Sequence, residues 1–285
     1  MAGNRNLNGL TALVTGGAGG IGLEFAKVLY QRGASLILLD LSGERLAEAL
    51  TTIKDSWTRS AGTDKGIESQ EAAAGKIFLL TLDLTREDFI EEIYKFCDKE
   101  GLNPEILVNN AGIFSFRPIS DTSVGKIEAF IDLHVRAVTL LSRWFVAKRK
   151  PHRSGWMLNM SSMSCWMPMP GLAMYSSTKS YIRVFSRALH YEMKDYGVGV
   201  TVACPGGIAT DLFGLPKNLQ KFAVSIGVLQ TPQSFARKAV KKMLKKRKQY
   251  INGFLNRFSI FFVGILPTRI RMMVKHHLLD KGISR

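Results

Sequence analysis

Cysteine is scarce in this sequence, and the few cysteines are not clustered. The 285 residues include only Cys97, Cys165 and Cys204. They are far apart and form no CxxC pair, which argues against a disulfide framework and against a zinc site. We therefore expect no metal site, and a reducing, cytoplasmic setting is the simplest interpretation.

Long apolar runs are also missing. Residues 3–9 are polar, so the sequence opens without the basic and apolar regions of a signal peptide. The longest apolar run towards the other end, Phe258–Leu266, has nine residues. Because a spanning helix needs about 20 residues, this run is too short to cross a bilayer alone.

Acidic residues are almost absent from the last part of the chain, although the net charge of the whole is +16. Fourteen lysines and arginines lie between Arg237 and Arg285, against the single acid Asp280. We interpret residues 1–285 as one domain that carries a basic and apolar C-terminal extension at about 237–285.

Cations beside the apolar stretch Phe254–Leu266 predict peripheral contact with an anionic membrane. A lid over the substrate pocket and a subunit contact are the alternatives for this stretch. Nucleic acid is not expected as a partner, because the basic region lacks interleaved aromatic residues and matches no nucleic-acid motif.

What the sequence does contain is a regular alternation of apolar runs with amphipathic stretches. The predicted strands are Leu10–Thr15, Ser35–Asp40, Lys76–Asp83, Ile106–Asn109, Gly155–Ser161 and Gly199–Ala203. The predicted helices are Ile21–Arg32, Leu41–Lys54, Arg86–Glu100, Ile127–Lys148, Tyr175–Tyr196 and Ser234–Lys248. This alternation predicts an α/β fold of Rossmann type, a doubly wound parallel sheet with helices on both faces.

A glycine-rich turn joins the first predicted strand to the first helix. It has the sequence TGGAGGIG at residues 15–22, with Gly16, Gly20, Ile21 and Gly22 as candidate cofactor residues. Glycines allow a tight turn and a close approach to a pyrophosphate, which then sits at the helix N-terminus. In this context a merely flexible turn is the weaker interpretation.

Asp40 ends the second predicted strand, eighteen residues after Gly22. A carboxylate there can accept hydrogen bonds from the adenosine ribose hydroxyls and would repel a 2′-phosphate. The turn at residues 15–22 also carries no Lys or Arg that could bind such a phosphate. Both features favour NAD over NADP, although an Asp at the start of a helix is the ordinary alternative.

Tyr175 and Lys179 stand four residues apart on a predicted helix, with Ser162 thirteen residues upstream of Tyr175. An ammonium beside a phenol stabilises the phenolate and lowers its pKa, which suits proton exchange with a substrate oxygen. Ser162 follows a strand and could hydrogen-bond the same oxygen. Two further loops follow predicted strands, residues 109–112 (NNAG) and residues 205–210 (PGGIAT).

In this order, these elements resemble the short-chain dehydrogenase/reductase family, over about Leu10 to Leu212. The resemblance implies that Tyr175 is the general acid/base, and that Ser162 polarises the carbonyl. It implies that Lys179 holds the nicotinamide ribose and lowers the tyrosine pKa. It also implies a homodimer or homotetramer that pairs through the predicted helices Ile127–Lys148 and Tyr175–Tyr196. Their apolar side chains are possible contact residues, although several must instead pack on the sheet: Phe130, Val138, Leu141, Phe145, Phe185 and Leu189.

The same resemblance implies how the cofactor is held. Asp83 and Leu84 are placed for the adenine, and Asn110 for the wall beside the adenosine ribose. The other candidate cofactor residues that follow strands are Ala111, Gly112, Pro205, Gly206, Ile208 and Thr210, of which Ile208 and Thr210 are placed for the nicotinamide carboxamide.

His134 departs from the family pattern, which usually has an asparagine at this position. That residue shapes a kink in the helix and holds a water molecule that links the lysine to solvent. A histidine keeps the backbone carbonyl, and its ring could join such a proton relay. A histidine packed between helices without a proton role is an equal alternative.

Two apolar loops indicate the substrate, since substrate choice in this fold resides in loops at the carboxyl ends of the strands. These are Met163–Leu172 and the segment between Leu212 and Val228. Methionines and aromatics can form an adaptable wall for a bulky apolar ligand, although they could equally pack the loops onto the core. We expect a secondary alcohol or ketone of lipid, acyl or steroid type. The alternatives are an NADP-linked 3-oxoacyl or 3-ketosphinganine-type reductase and a catalytically quiet dinucleotide-binding scaffold.

Overall fold

The computed structural model describes residues 6–61, 75–208, 230–253, 256–258, 260, 262 and 265–276 of the chain. Its centre is a parallel sheet of seven strands in the order β3-β2-β1-β4-β5-β6-β7. The strands are β1 Thr11–Thr15, β2 Ser35–Asp40, β3 Ile77–Thr81, β4 Ile106–Asn109, β5 Gly155–Met160, β6 Val198–Cys204 and β7 Gln249–Ile251. The predicted Rossmann-type doubly wound sheet is confirmed.

Helices cover both faces of this sheet. They are α1 Gly20–Tyr30, α2 Gly43–Ala61, α3 Phe89–Lys99, α4 Val124–Ile131, α5 Val138–Arg149, α6 Ala173–Glu192, α7 Pro232–Leu244 and α8 Thr268–Val274. On one face α1, α2 and α7 contribute Phe25, Ile53 and Phe235 to the core. On the other face α3 and α5 contribute Ile93 and Trp144. The strands are buried on both sides, which explains their nearly continuous apolar sequences.

The predicted helix Ile127–Lys148 is interrupted in the structure. A π-helical segment, Asp132–Ala137, separates α4 from α5. Six side chains on this region and on α6 are possible partner contacts by the sequence, several of which must instead pack on the sheet: Phe130, Val138, Leu141, Phe145, Phe185 and Leu189. In the structure five of them are buried in the monomer, and only Phe185 is half-buried. Apolar periodicity alone does not tell a sheet-facing side chain from a partner-facing one.

The C-terminal boundary also differs from the sequence prediction. The predicted helix Ser234–Lys248 is α7, which ends at Leu244, and its apolar face is buried against the sheet. A seventh strand, β7, follows and pairs with β6, so residues up to Ile251 belong to the sheet domain rather than to an extension. Among the described residues, no helix combines the length and the apolar composition that crossing a bilayer requires. One domain over residues 1–285 stays a prediction.

Candidate active site

A cleft of about 480 Å³ opens at the carboxyl ends of the strands, where the strand order reverses between β1 and β4. Most of the predicted site residues line it together: Gly16, Gly20, Ile21, Asp40, Asp83, Leu84, Asn110, Ala111, Gly112, Ser162, Tyr175, Lys179, Pro205, Gly206 and Ile208. Gly22 and His134 stand behind this lining, and Thr210 lies outside the described residues.

The glycine turn between β1 and α1 has no room for a side chain at Gly22. A Cβ atom on Gly22 would overlap the carbonyl oxygen of Gly16 and lie 2.5 Å from Nδ2 of Asn110. The Asn110 amide donates hydrogen bonds to the carbonyls of Thr15 (3.1 Å) and Gly16 (3.2 Å). The turn is thereby tied to the end of β4, with the N-terminus of α1 opening into the cleft. These residues fit the pyrophosphate of a dinucleotide.

Asp40 is held at the adenosine end of the cleft by the backbone. Its Oδ2 accepts a hydrogen bond from the N–H of Ala18 at 3.1 Å, and its Oδ1 accepts one from the N–H of Leu41 at 2.9 Å. Each carboxylate oxygen has a further lone pair with which to accept a ribose hydroxyl. The position therefore suits the ribose contact predicted from the sequence.

Ser162, Tyr175 and Lys179 converge at the other end of the cleft. The Ser162 hydroxyl accepts a hydrogen bond from the N–H of Ser164 at 3.1 Å, which leaves its proton available to a substrate oxygen. The Lys179 ammonium donates to the carbonyl of Met160 at 3.0 Å and lies 5.7 Å from the centre of the Tyr175 ring. The hydroxyl, the phenol and the ammonium thus surround one space.

The charge states of this group follow from burial. Burial raises the pKa of Tyr175, and a hydrogen bond with Ser162 offsets part of the rise. Burial lowers the pKa of Lys179 to about 8, so the amine is still mainly protonated at pH 7. The net direction for Tyr175 is upward because its apolar surroundings dominate, and the lowering of its pKa by Lys179 stays a prediction. A protonated phenol is the form that can donate to a ketone oxygen.

His134 is fixed in one protonation state by its neighbours. Its Nε2 accepts a hydrogen bond from the N–H of Ile113 at 3.1 Å, so the proton of the neutral ring is on Nδ1. That Nδ1 lies 2.9 Å from the Thr178 hydroxyl, which in turn donates to backbone carbonyls of α6. Burial, and then the charge of Lys179, hold the pKa of His134 well below its ordinary value. These contacts favour a packed, neutral histidine over a proton-relay role.

The His134 ring packs directly against Gly112, where there is no room for a side chain. A Cβ atom on Gly112 would lie 2.7 Å from Nε2 of His134. The imidazole therefore fills the space that the glycine leaves at the end of β4. The ring also joins the π-helical segment to the Tyr175 side of the cleft, since its centre is 6.2 Å from that of the phenol.

Sequence reasoning missed several residues that line the cleft, and only one of them is charged. Arg45, in the first turn of α2, comes over the glycine turn, and a Cβ atom on Gly19 would overlap its Nη2. No sequence motif marks this position, because its proximity to the turn results from how α2 packs. The others are Gly19, Leu39, Leu41, Leu82, Ile113, Leu133, Met160 and Ser161.

An aromatic contact and the loop after Ser162 border the substrate side of the cleft. Phe114 packs edge-to-face against Tyr175, with ring centres 4.9 Å apart. The loop after Ser162 begins with a 3₁₀ turn, Met163–Trp166, that packs on α6. The predicted apolar residues between Leu212 and Val228 lie outside the described residues.

A family model for short chain dehydrogenases matches residues 10–218 of the chain. The chain is 29% identical over 206 residues to the cyclopentanol dehydrogenase of Comamonas sp. (strain NCIMB 9872), covering 72% of this chain and 76% of that protein. It is also 29% identical over 271 residues to the very-long-chain 3-oxoacyl-CoA reductase of Macaca fascicularis, covering 92% of this chain and 77% of that protein.

The fold has close counterparts among solved structures. A short-chain dehydrogenase from Sphingobium yanoikuyae, in complex with NADPH, superposes with a TM-score of 0.72 at 21% identity. The match covers 93% of this chain and 95% of that one. This similarity concerns the fold.

Proposed function

Because the chain belongs to the short-chain dehydrogenase family, and is thus an oxidoreductase that interconverts alcohols and ketones with a nicotinamide cofactor, we propose that Ser162, Tyr175 and Lys179 carry out its chemistry. The convergence of these three side chains at one end of the dinucleotide cleft is the observation that supports this assignment. The cofactor, when bound, supplies or accepts the hydride.

The side chains of the protein transfer the proton and bind the substrate oxygen. In the reducing direction the Tyr175 hydroxyl donates its proton to the developing alkoxide, and the Ser162 hydroxyl donates a hydrogen bond to the same oxygen. The Lys179 ammonium is hydrogen-bonded to the Met160 carbonyl and places a positive charge beside the phenol. This charge stabilises the phenolate that remains after Tyr175 has donated its proton. His134 and Gly112 position this group without taking the proton.

A spectrophotometric screen tests the proposed activity. The purified protein is incubated with NADH or NADPH and with ketones of increasing apolar size, and in the reverse direction with the oxidised cofactors and alcohols. We expect a change in absorbance at the nicotinamide band with at least one bulky apolar substrate. Cofactor binding without turnover across the whole series would favour a dinucleotide-binding scaffold instead.

The substrate is a bulky apolar ketone or alcohol. The apolar surroundings of Tyr175 support this, since Phe114 packs directly on the phenol and Leu133 and Met160 line the same cleft. The relatives named above act on a cyclic alcohol and on long-chain 3-oxoacyl groups, according to their names. A 3-oxoacyl reductase is therefore the second candidate, and acyl chains of graded length in the same screen distinguish it from a cyclic-ketone enzyme.

NAD is the preferred cofactor, because the Asp40 carboxylate meets a 2′-phosphate with like charge. We expect NADH to bind the unmodified protein at least about tenfold more tightly than NADPH in a fluorescence titration. Asp40→Ala should reduce this difference in affinity, because it weakens the binding of NADH and removes the repulsion of the 2′-phosphate of NADPH. Tighter binding of NADPH to the unmodified protein would contradict the proposal.

The chain forms a homodimer or homotetramer. The exposed apolar side chains of α6 support this, with Val184 62% and Tyr191 55% exposed. Light scattering at micromolar concentration should give a mass of at least twice the monomer. A monomer at that concentration would exclude the proposed assembly.

The protein is cytoplasmic, and its region after β7 binds an anionic membrane surface peripherally. Its described apolar side chains are largely exposed: Phe258, Phe262, Ile265, Ile270 and Met273. The cation Arg269 stands between them in the sequence, and Arg257 and Lys275 flank them on either side. Each such cation near an anionic leaflet contributes about 1 kcal/mol, and insertion of apolar side chains adds to this.

Vesicle co-sedimentation tests the membrane proposal. The full chain should bind vesicles containing phosphatidylserine, bind neutral vesicles little, and be released at about 1 M salt, where the Debye length falls to about 3 Å. Replacing Phe262 and Ile265 together by Ser should weaken binding, whereas Val124→Ser, at an exposed site on α4, should not. Equal recovery of the protein in the supernatant with both lipids would leave a pocket lid or a subunit contact as the role of this segment.

A further inference from the structure

Two of the three cysteines lie together in the folded chain, although they are far apart in the sequence. Cys204 is the last residue of β6 and is fully buried, and Cys165 packs against the same apolar cluster from the 3₁₀ turn Met163–Trp166. The segments that carry them stay paired beyond the sheet, since the N–H of Met163 donates to the carbonyl of Pro205 at 2.7 Å. Both cysteines are within two residues of this hydrogen bond, and both are free thiols.

The two thiols interact directly, and this contact makes them chemically different. A hydrogen bond with Cys204 is the main cause that lowers the pKa of Cys165, and the charge of Arg183 contributes to the lowering. The same hydrogen bond, together with burial, raises the pKa of Cys204 well above its ordinary value. Cys165 is also partly exposed to solvent, whereas Cys204 is buried. Because the thiolate is the nucleophilic form, Cys165 is the thiol that reacts first.

Arg183 is the cation beside this pair. Its guanidinium lies over the Trp166 ring, 4.3 Å from the ring centre, at the end of the 3₁₀ turn. Its Nε is buried without a hydrogen-bond partner. Within the part of the chain that the structure describes, the ion pairs involve other cations. A positive charge that no acid neutralises in an ion pair stabilises a neighbouring thiolate.

The cysteine pair is next to the proposed active site. Cys165 follows Ser162 by three residues, in the turn that begins there. Besides burial, the charge of Cys165 raises the pKa of Tyr175. The charge of Cys204 partly offsets the lowering of the Lys179 pKa by burial. A covalent bond between the two sulfurs would therefore change the charge around these groups and the position of Ser162.

We propose that Cys165 and Cys204 are an oxidation site at which a peroxide forms an intramolecular disulfide, and that this disulfide reversibly lowers the activity of the enzyme. The disulfide itself depends only on the two thiols, whereas its effect on turnover rests on the proposed function. An S–S bond of about 2.05 Å is shorter than any non-bonded contact of two sulfur atoms, so the turn after Ser162 must move towards β6. A displacement of about 1 Å at the reacting groups can lower the rate about 10²-fold.

The reaction consumes one peroxide for each pair of thiols. The Cys165 thiolate attacks one oxygen of hydrogen peroxide, the O–O bond breaks, and the leaving hydroxide takes up a proton to become water. The Cys204 sulfur then attacks the sulfur of the Cys165 sulfenic acid, the S–O bond breaks, and hydroxide leaves with the Cys204 proton as a second water. The two thiols thus lose two electrons and two protons, which reduce the peroxide to two water molecules.

Mass spectrometry of the oxidised protein tests the disulfide without reference to activity. The full chain is treated with a small excess of hydrogen peroxide, the remaining thiols are alkylated, and the protein is digested without reductant. We expect a peptide that links Cys165 to Cys204, with Cys97 alkylated, and dithiothreitol should remove the link. Free Cys165 and Cys204 after treatment would overturn the inference. Oxidation of Cys165 to a sulfinic acid, or a disulfide that involves Cys97 or a second chain, would overturn it as well.

Turnover is measured on the same samples, and each variant is compared with its own untreated protein. Peroxide should lower the activity of the unmodified protein about tenfold or more, and dithiothreitol should restore it. Cys165→Ser lacks the reacting thiol and should keep its activity after treatment. Cys97→Ser is the matched control, because Cys97 is buried on the other face of the sheet, and it should respond like the unmodified protein.

A disulfide that forms without a change in turnover would overturn the proposed control of activity, and so would equal inactivation of Cys165→Ser. If the unmodified protein turned over no substrate, the proposed function itself would fail. The linked peptide would still decide whether the two cysteines form an oxidation site.

Discussion

Replacing Tyr175 by Phe should lower the rate of ketone reduction by at least about 10²–10⁴-fold, the range that general acid–base catalysis contributes. The phenol is buried, it lines the same cleft as Ser162, and the Lys179 ammonium lies 5.7 Å from the centre of its ring. The variant retains the ring that packs on Phe114, so the shape of the site should persist. Steady-state kinetics with the best substrate of the screen measures the effect.

The affinity of the variant for the cofactor shows whether a loss of rate comes from the missing hydroxyl or from a disturbed structure. Tyr175→Phe should bind the dinucleotide nearly as tightly as the unmodified protein, because the glycine turn and Asp40 are untouched. Tyr191→Phe is the matched control, since Tyr191 lies on the same helix with its side chain 55% exposed. Turnover of Tyr175→Phe at the rate of the unmodified protein would rule out the proposed acid/base.

Gly22→Ala should destabilise the protein and abolish most of its cofactor binding. The added methyl group would overlap the carbonyl oxygen of Gly16 and press on the amide of Asn110, so backbone rather than a flexible side chain must move. Overpacking of this kind costs about 1–3 kcal/mol. The same movement displaces the turn that has to approach the pyrophosphate. Thermal unfolding and dinucleotide titration measure the two effects.

Gly125→Ala provides the contrasting change. Gly125 lies in α4, and a Cβ atom there would meet no atom within 4 Å. Because alanine is favoured over glycine in a helix by about 1 kcal/mol, this variant should be slightly stabilised and bind cofactor normally. If Gly22→Ala behaved like Gly125→Ala, with unchanged melting temperature and affinity, the close packing of the turn would not be essential.

Strands β2 and β4 were predictable because the apolar run that indicates each of them is local in the sequence. Ser35–Asp40 and Ile106–Asn109 have the same bounds in the sequence prediction and in the structure. The glycine turn was predictable because a strand, a tight turn and a helix must follow one another there. β7 was missed, since three residues at a sheet edge carry too little apolar periodicity to be distinguished from a helix end.

The interruption of the helix before β5 depended on contacts between distant segments. The π-helical segment Asp132–Ala137 is an ordinary helix by its sequence pattern. In the structure its His134 hydrogen-bonds the N–H of Ile113 after β4 and lies against Thr178 on α6. A local pattern cannot report a geometry that two other elements impose.

The sequence by itself determined the fold class, the dinucleotide turn, and the order in which Ser162, Tyr175 and Lys179 follow it, because each depends on the spacing of residues along one strand or helix. Only the tertiary structure decided the environment of those groups. Burial raises the pKa of Tyr175, and the packing of α2 brings Arg45 over Gly19. The physical reason is that pKa values and electrostatic partners depend on distances and dielectric surroundings, which arise when segments far apart in the chain pack together.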